Sequence, residues 1–340
     1  MKRIDRARLR ALGLQTVDRI AGRARTSRGR ALLADFLGCS PRDLRDLLSL
    51  RGNPLMEQAS RPKRHPRGAR VPPDASAFRV GQPLRSLEEE IIRATGTTLA
   101  ESVGLTREVS RNPLHAHSCD DHLTPARNQG SRPTCVAFAV AAALEAKLVA
   151  EGEEAALDLS EQFLYWAAKD ADGDNAAGTW ISQACQCIED RRGVCREQTW
   201  PYNATPIPGD EGQGPPPKHA IAEARTFSAH ALRLNEREPG DLKRALNEDC
   251  NHIMFACFTF PFWEESPFSD TGDLPMPLPD EQDDGAHAIC IYGYRESRTD
   301  PGGGVFLFKN SWGTRWGDSG HGTIPFQYVE NHGLEAYSFI

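Results

Sequence analysis

The sequence predicts an α+β fold, because helical patterns dominate its first half and strand patterns its last third. Residues 135–150 form a long apolar-rich stretch without Gly or Pro, which predicts a buried helix. Later runs rich in β-branched and aromatic residues predict strands at His252–Phe260, His287–Tyr294, Val305–Lys309 and Gly322–Pro325. Helices that come first and strands that come later favour α+β over alternating βαβ units. Between them, Ser160 is a good N-cap for a helix through Ala168, and a third helix is predicted over Thr179–Glu189.

Residues 1–52 predict short helices. Apolar residues recur at helical spacing in two stripes, one from Leu12 to Ile20 and one from Leu32 to Leu37. Ser40 and Pro41 are a favourable N-cap and N1 pair for a further helix. We therefore expect a small all-α domain over residues 1–53.

A linker or approach segment is expected over residues 54–110, ahead of a main domain over residues 111–340. Residues 54–85 are rich in Pro, Arg, Ser and Gly, which is typical of a linker. Such a segment is exposed and easily cut. A short helix is predicted around Leu87–Thr95, with acidic residues in its first turns.

Charge divides the chain unevenly. Residues 1–75 hold 18 Lys and Arg against 7 Asp and Glu, and the remainder holds 22 against 40. This asymmetry predicts two units with different roles. Phe36 is the one aromatic residue among the first 52, so the interleaved aromatics of many nucleic-acid surfaces are missing. We expect a protein partner for the basic unit and disfavour nucleic acid.

The same composition sets expectations for location. No stretch approaches the roughly 20 apolar residues that span a bilayer, and no secretory signal is recognisable. We therefore expect no membrane partner. The nine cysteines form no dense framework, so they are expected to be mostly reduced thiols, without a disulfide, in a cytoplasmic protein.

The residue types of a thiol-dependent acyl transfer occur in order along the chain. Cys135 stands at the predicted start of the long helix, where the helix dipole favours a thiolate. Gln129 lies six residues earlier and can donate a side-chain N–H to an oxyanion, together with the backbone N–H of Cys135. His287 is the candidate base, and Asn310 can hold its ring in one tautomer.

These residues lie in motifs that resemble those of papain-like cysteine peptidases. Gln129–Phe138 resembles the nucleophile motif, Gly285–Ala288 the histidine strand, and Asn310–Gly317 the asparagine motif. Leu159–Gln162 and Trp200–Tyr202 are similar to two further motifs between them. The spacing from Cys to His and Asn also fits the family. The resemblance covers about residues 120–340.

The resemblance implies a papain-like fold, with a helical left subdomain and a β-barrel-like right subdomain around a substrate cleft. It implies that Gly178, Ala288 and Trp312 contact substrate, with Trp312 also shielding the His–Asn bond. It further implies a bacterial-type relative, since residues 12–48 resemble small bacterial helix-hairpin-helix-like domains of unknown function.

Three positions depart from the family pattern. Arg132 stands where the family carries a disulfide cysteine, and Val136 stands where an aromatic residue usually follows the nucleophile. Ala286 replaces a polar residue before the histidine. These departures alter the surroundings of the site and remove no catalytic group.

The sequence therefore predicts a cysteine endopeptidase that acts on protein or peptide substrates through Cys135, His287, Asn310 and Gln129. No cofactor and no metal is predicted. One group of ligand-type residues is better explained as thiols that pack in the core: Cys185, Cys187 and Cys195. The other is better explained as a solvated segment: His115, His117, Cys119 and His122. Two alternatives stay open: an isopeptidase or peptide ligase that uses the same site, and a regulated, dormant peptidase whose N-terminal domain binds a protein or nucleic-acid partner. An inhibitory N-terminal propeptide also stays open. The aromatic and Pro-rich insertion, residues 262–279, is expected to border the cleft.

Overall fold

The computed structural model describes residues 6–49, 64–72 and 115–340. The helix predicted around Leu87–Thr95 and most of the predicted linker lie outside the described residues. The helices are α1 (Arg6–Ala11), α2 (Val17–Arg23), α3 (Ser27–Leu37), α4 (Pro41–Ser49), α5 (Cys135–Ala150), α6 (Glu161–Asp172), α7 (Ile181–Cys187), α8 (Lys218–Ala224), α9 (Pro239–Asp249), α10 (Phe268–Thr271) and α11 (Phe326–His332). In the described part of the chain, no helix combines the length and hydropathy needed to cross a membrane.

The described strands form one seven-stranded antiparallel sheet. They are β1 (Ala116–Ser118), β2 (Ala231–Arg233), β3 (Ile253–Thr259), β4 (Gly285–Glu296), β5 (Gly304–Lys309), β6 (His321–Pro325) and β7 (Gly333–Phe339). Their order is β2-β7-β3-β4-β5-β6, and β1 pairs with the second half of β4. The fold class is therefore the predicted α+β.

The long helix α5 lies at the centre of the main domain. It packs on α6 and α7 on one side and on β3 and β4 on the other, so that almost every residue from Cys135 to Ala146 is buried. The predicted bounds of this helix are confirmed. Ser160 caps α6 as predicted, because its Oγ accepts from the Phe163 N–H at 3.0 Å. All of the predicted strands are present, with ends shifted by a few residues.

Strand β7 was not predicted, because its sequence places a charged residue inside the fold. Glu335 is buried in the middle of β7. Its carboxylate accepts the backbone N–H groups of Ile181 and Ser182, the first residues of α7, at 2.9 and 3.2 Å. A helix N-terminus is a favourable partner for a carboxylate, and this tertiary contact cannot be read from strand patterning.

Helices α1 to α4 form the N-terminal helical unit, which packs on the insertion. The Gly13 backbone has φ +70°, and this turn divides the first predicted apolar stripe between the end of α1 and α2. The Met276 N–H donates to the Leu12 carbonyl at 3.1 Å. Arg23 of α2 forms a buried ion pair with Glu281, just after the insertion, and its guanidinium lies 4.4 Å from the Phe262 ring centre. The unit is therefore held to the main domain by both apolar and charged contacts.

The expectation of a chain without disulfides is wrong for this structure. Cys119 and Cys250 are bonded, although 131 residues separate them, and the other seven cysteines are free. Cys119 follows β1, and Cys250 lies between α9 and β3. Since both β1 and β3 pair with β4, the sheet brings the two cysteines together. Sequence spacing alone does not reveal such a pairing.

Candidate active site

Cys135 is the first residue of α5 and is completely buried. Its Sγ accepts two backbone N–H groups, from Gly68 at 3.2 Å and from Ala288 at 3.4 Å. Burial raises the pKa of the Cys135 thiol, and these N–H donors offset only part of that effect. In this state the thiol is therefore neutral.

His287 and Asn310 lie on neighbouring strands of the sheet. His287 is in β4, and Asn310 follows β5 directly. The Asn310 Oδ1 lies 2.8 Å from His287 Nε2 and also accepts the Ser311 N–H at 2.7 Å. Because an amide oxygen accepts, the proton of the neutral ring is assigned to Nε2, which leaves a basic lone pair on Nδ1. The Trp312 ring lies against the His287 ring with 4.5 Å between centroids.

Burial lowers the pKa of His287 to about 3, and the bond to Asn310 offsets part of this shift. The Nδ1 atom is buried and has no hydrogen-bond partner among the described residues. Both groups of the candidate nucleophile–base pair are thus neutral here. The Sγ of Cys135 is bound by backbone N–H groups and not by His287.

Gln129 is held at the start of α5 by several hydrogen bonds. Its Oε1 accepts from Ser311 Oγ at 2.6 Å, so its Nε2 is the donor end of the amide. The Nε2 donates to the Arg132 carbonyl at 2.8 Å and to the Pro66 carbonyl at 3.0 Å. The Tyr202 hydroxyl donates to the Gln129 carbonyl at 2.9 Å. An N–H donor is thereby fixed in the turn that leads into α5.

The predicted substrate-contacting residues surround the same point. Ala288 donates its N–H to Cys135 Sγ, and Trp312 lies against His287. Gly178 has φ +77°, and a Cβ there would lie 2.3 Å from the Gly68 carbonyl oxygen. All seven predicted site residues therefore meet at one cleft between α5 and the sheet. Gly178 also lies directly against a segment that sequence reasoning placed in the linker.

Residues 64–72, which we call the strap, occupy this cleft. Ala69 forms a parallel bridge with Thr179 and an antiparallel bridge with Ala286. The Arg70 N–H donates to the Thr179 carbonyl, and the Thr179 N–H donates to the Gly68 carbonyl, both at 2.9 Å. The strap thus adds a short strand between the two walls of the cleft. No local sequence signal reveals this, because the strap is held by contacts with residues more than 60 positions away.

Side chains of the strap hold it on both sides of Cys135. The His65 ring stacks on Trp312 with 4.7 Å between centroids. On the opposite side, the Arg70 guanidinium donates to Asp174, and the closer contact is 2.7 Å. Hydrogen bonds from Arg70 and Lys169 hold the pKa of Asp174 well below its usual range. The strap is therefore fixed by charge as well as by backbone pairing.

The predicted ligand-type groups do not form an available metal site. Cys185, Cys187 and Cys195 are buried and pack in the core. Among the described residues, one His, Cys or carboxylate group has ligand atoms close enough for a metal ion: His117, Cys119 and Cys250. Its two cysteines are joined in the disulfide and offer no thiolate.

Comparison with known proteins agrees with the geometry. A family model described as papain family cysteine protease matches residues 114–338. The chain belongs to the papain family of cysteine proteases. The Peptidase C1-like protein L477 of Acanthamoeba polyphaga mimivirus is 27% identical over 61% of this chain and 66% of its own length. Bovine pro-cathepsin H is 29% identical over 58% of this chain and 55% of its own length.

The fold is also shared with solved structures. Xylellain, a cysteine protease from Xylella fastidiosa, aligns with a TM-score of 0.60 and 20% identity over 83% of this chain and 98% of its own. A digestive procathepsin L 3 of Tenebrio molitor aligns with a TM-score of 0.51 and 20% identity over 75% of this chain and 79% of its own. At this identity the likeness concerns the papain-like fold. The chain spans 54 to 66% of the length of these and similar curated relatives.

Proposed function

We propose that this protein is a cysteine endopeptidase that hydrolyses peptide bonds through Cys135, His287, Asn310 and Gln129. One observation carries the proposal: Cys135, at a helix start, shares a buried cleft with the His287–Asn310 pair. A thiol at such a position becomes a nucleophile once a neighbouring imidazole accepts its proton. The free lone pair on His287 Nδ1 is the group that can accept it.

The reaction follows from these positions. His287 takes the proton of Cys135, and the thiolate attacks the substrate carbonyl carbon to form a C–S bond. The negative charge moves to the carbonyl oxygen, which Gln129 Nε2 and the Cys135 N–H stabilise. His287 then gives its proton to the departing amine, and the C–N bond breaks. Water, deprotonated by His287, releases the acyl group from sulfur. Asn310 keeps the ring in the required tautomer throughout.

We further propose that the strap keeps the peptidase dormant. Gly68 presents an N–H to Cys135 Sγ, so the nucleophile faces a hydrogen-bond donor and not a carbonyl carbon. The Pro66 carbonyl takes the Gln129 N–H that would otherwise bind the oxyanion. The strap pairs with the backbone of Thr179, next to Gly178, where the family resemblance places the pairing with substrate, so strap and substrate would compete for this wall of the cleft. Activity then requires the strap to leave the cleft or to be cut.

Gly68 offers a way to test both statements in the full-length chain. A Cβ at this position would lie 1.9 Å from the Pro133 carbonyl oxygen and 2.9 Å from the Thr134 nitrogen, and both are backbone atoms. Gly68→Ala should therefore expel the strap. The matched control is Gly240→Ala, because a Cβ there meets only a Glu238 carboxylate oxygen at 3.4 Å.

The measurement is the rate of labelling by a peptide epoxide together with hydrolysis of a peptide library. We expect Gly68→Ala to react at least about tenfold faster than wild type, a change equivalent to about 1.4 kcal/mol. Gly240→Ala should match wild type. Equal labelling after a further Cys135→Ala change would refute Cys135 as the nucleophile. Labelling of Gly68→Ala at the wild-type rate would refute the strap as the block, and products found only as amides of an added amine would indicate a ligase.

A further inference from the structure

The Arg67 side chain of the strap lies in a pocket built from four groups of the main domain. Its Nε donates to Thr259 Oγ1 at 2.9 Å, and its Nη2 donates to Asp284 Oδ2 at 2.8 Å. Its Nη1 bonds to the Glu264 carboxylate. The guanidinium carbon lies 4.9 Å from the centre of the Trp312 ring. Two carboxylates, a hydroxyl and an aromatic face are a complete set of contacts for a guanidinium.

All four groups of this pocket belong to the main domain, and two of them are held by contacts within that domain. Thr259 ends β3, and its hydroxyl donates to Asp284 Oδ1 at 2.7 Å. The Asp284 N–H in turn donates to the Thr259 carbonyl at 2.9 Å. Glu264 ends a 3₁₀ turn at the beginning of the insertion, and the neighbouring Trp263 packs 6.1 Å from His287 between ring centroids. The insertion therefore borders the cleft, as the sequence predicts.

Glu264 is left without a counterion when the strap leaves. With the strap in place, the Glu264 side chain is only 5% exposed. Among the described residues, its carboxylate forms an ion pair with Arg67 and contacts the His65 ring, and both residues belong to the strap. Without Arg67, the carboxylates of Glu264 and Asp284 lie in the same pocket and lack the cation that bridges them, so the open cleft favours a ligand that brings a positive charge. The pocket that binds Arg67 of the strap is therefore suited to bind a cationic side chain of a substrate.

The position of the pocket determines which substrate residue reaches it. Arg67 adjoins Gly68, whose N–H contacts Cys135 Sγ, and Trp312 lies against both Arg67 and His287. In the proposed reaction His287 protonates the leaving amine, so residues that follow the cut bond lie on the His287 side. The Arg67 pocket is on this side, and Gly178 and Thr179 are on the other.

Resting on the proposed function, we propose that Glu264 and Asp284 form a subsite that selects arginine, or less strongly lysine, in the first two residues after the cut bond. Arginine is preferred because its planar group can bond both carboxylates and Thr259 while it stacks on Trp312. Lysine provides the charge without this geometry. The substrate class is thus proteins or peptides with a basic residue on the leaving-group side.

The test uses the full-length Gly68→Ala protein, in which the strap is expelled. Two peptides of the same sequence carry either arginine or its neutral isostere citrulline directly after the cleavage site found by library profiling. We expect kcat/KM to be at least about tenfold higher for the arginine peptide, the order expected for charge-assisted hydrogen bonds. Adding Glu264→Gln should remove most of this ratio.

Asp284→Asn gives a second measurement, because its carboxylate is one-third exposed and the change is less disturbing to the fold. It should also reduce the arginine-to-citrulline ratio. Asp174→Asn is the matched control, since Asp174 holds Arg70 on the opposite side of the cleft, and this variant should keep the ratio. Equal rates on the two peptides, or a ratio that survives both Glu264→Gln and Asp284→Asn, would overturn the subsite alone. Failure to cleave any peptide, with Cys135 unlabelled, would overturn the proposed function and the subsite together.

Discussion

Gln129 has two hydrogen-bonding tasks in the closed cleft. Its Nε2 donates to the Arg132 carbonyl, which supports the turn before α5, and to the Pro66 carbonyl of the strap. In the proposed reaction, the second bond is the one that an oxyanion would take when the strap is absent. The Ser311 hydroxyl on Oε1 keeps the amide in this orientation in either state. The same side chain can therefore serve both inhibition and catalysis.

These two tasks can be separated by measuring chemistry that needs an oxyanion and chemistry that does not. In the Gly68→Ala protein, Gln129→Ala should lower kcat for peptide hydrolysis by about 10²–10³-fold, the usual loss for one oxyanion donor. Alkylation of Cys135 by iodoacetamide should change little, because no oxyanion forms. Gln15→Ala is the control, since Gln15 is exposed and donates only to Thr299 and Asp300. A parallel fall in alkylation would indicate that Gln129 mainly supports the turn.

At the scale of elements, Arg132 connects the start of α5 to α6 and to the loop that follows residue 202. Its side chain is buried, and it donates to Gln162 Oε1 at 2.6 Å and to the carbonyls of Asn203 and Glu211, both at 2.9 Å. The guanidinium also lies 5.2 Å from the Tyr165 ring centre. By the family resemblance this is the position of a disulfide cysteine. Three hydrogen bonds from the Arg132 side chain therefore stand at the position where, by the resemblance, the family carries a disulfide bond.

Arg132→Met should therefore destabilise the protein. The change keeps the apolar volume and leaves several buried acceptors without a donor, so we expect the free energy of unfolding to fall by about 2–4 kcal/mol. Urea denaturation followed by fluorescence measures this change. Arg196→Met is the control, because Arg196 is partly exposed and its ion pairs are long. A loss of less than about 1 kcal/mol at Arg132 would show that water replaces the lost donors.

Some elements of the fold could be predicted from the sequence and others could not. Helix α5 was predictable to the residue, because an apolar-rich run without Gly or Pro lies between Pro133 and Gly152. The four candidate catalytic residues were found because their types and order are distinctive. Strand β7 and the disulfide depend on contacts between distant segments. The strap depends on such contacts as well. The need for a glycine at position 68 comes from its close contacts with Pro133 and Gly178, which the sequence does not reveal.

At the scale of the whole molecule, the uneven charge of the chain acquires a structural role. Basic residues from the first 75 positions meet acidic residues of the main domain in ion pairs at four places: Arg19 with Asp273, Arg23 with Glu281, Arg67 with Glu264 and Asp284, and Arg70 with Asp172 and Asp174. The asymmetry that suggested an external partner is thus used, at least in part, inside the molecule. These pairs hold both the N-terminal helical unit and the strap on the main domain.

The insertion is the element that the helical unit and the strap share. Arg23 of the unit contacts Phe262 and Glu281, and Glu264 of the same segment binds Arg67 of the strap. If the docked unit supports the insertion, undocking it should weaken the strap at a distance. This links the unit to the state of Cys135 through a continuous series of packed contacts.

Arg23→Met tests this link, because it leaves Glu281 buried without its cation. We expect a loss of about 3–5 kcal/mol in the free energy of unfolding, the usual cost of removing one partner of a buried ion pair. We also expect epoxide labelling of Cys135 to rise above the wild-type rate under conditions where the chain stays folded. Arg233→Met is the control, since Arg233 is mostly exposed and makes one long ion pair. A destabilised protein whose labelling stays at the wild-type rate would mean that the insertion holds Glu264 by itself. The helical unit would then be attached to the peptidase without governing the strap.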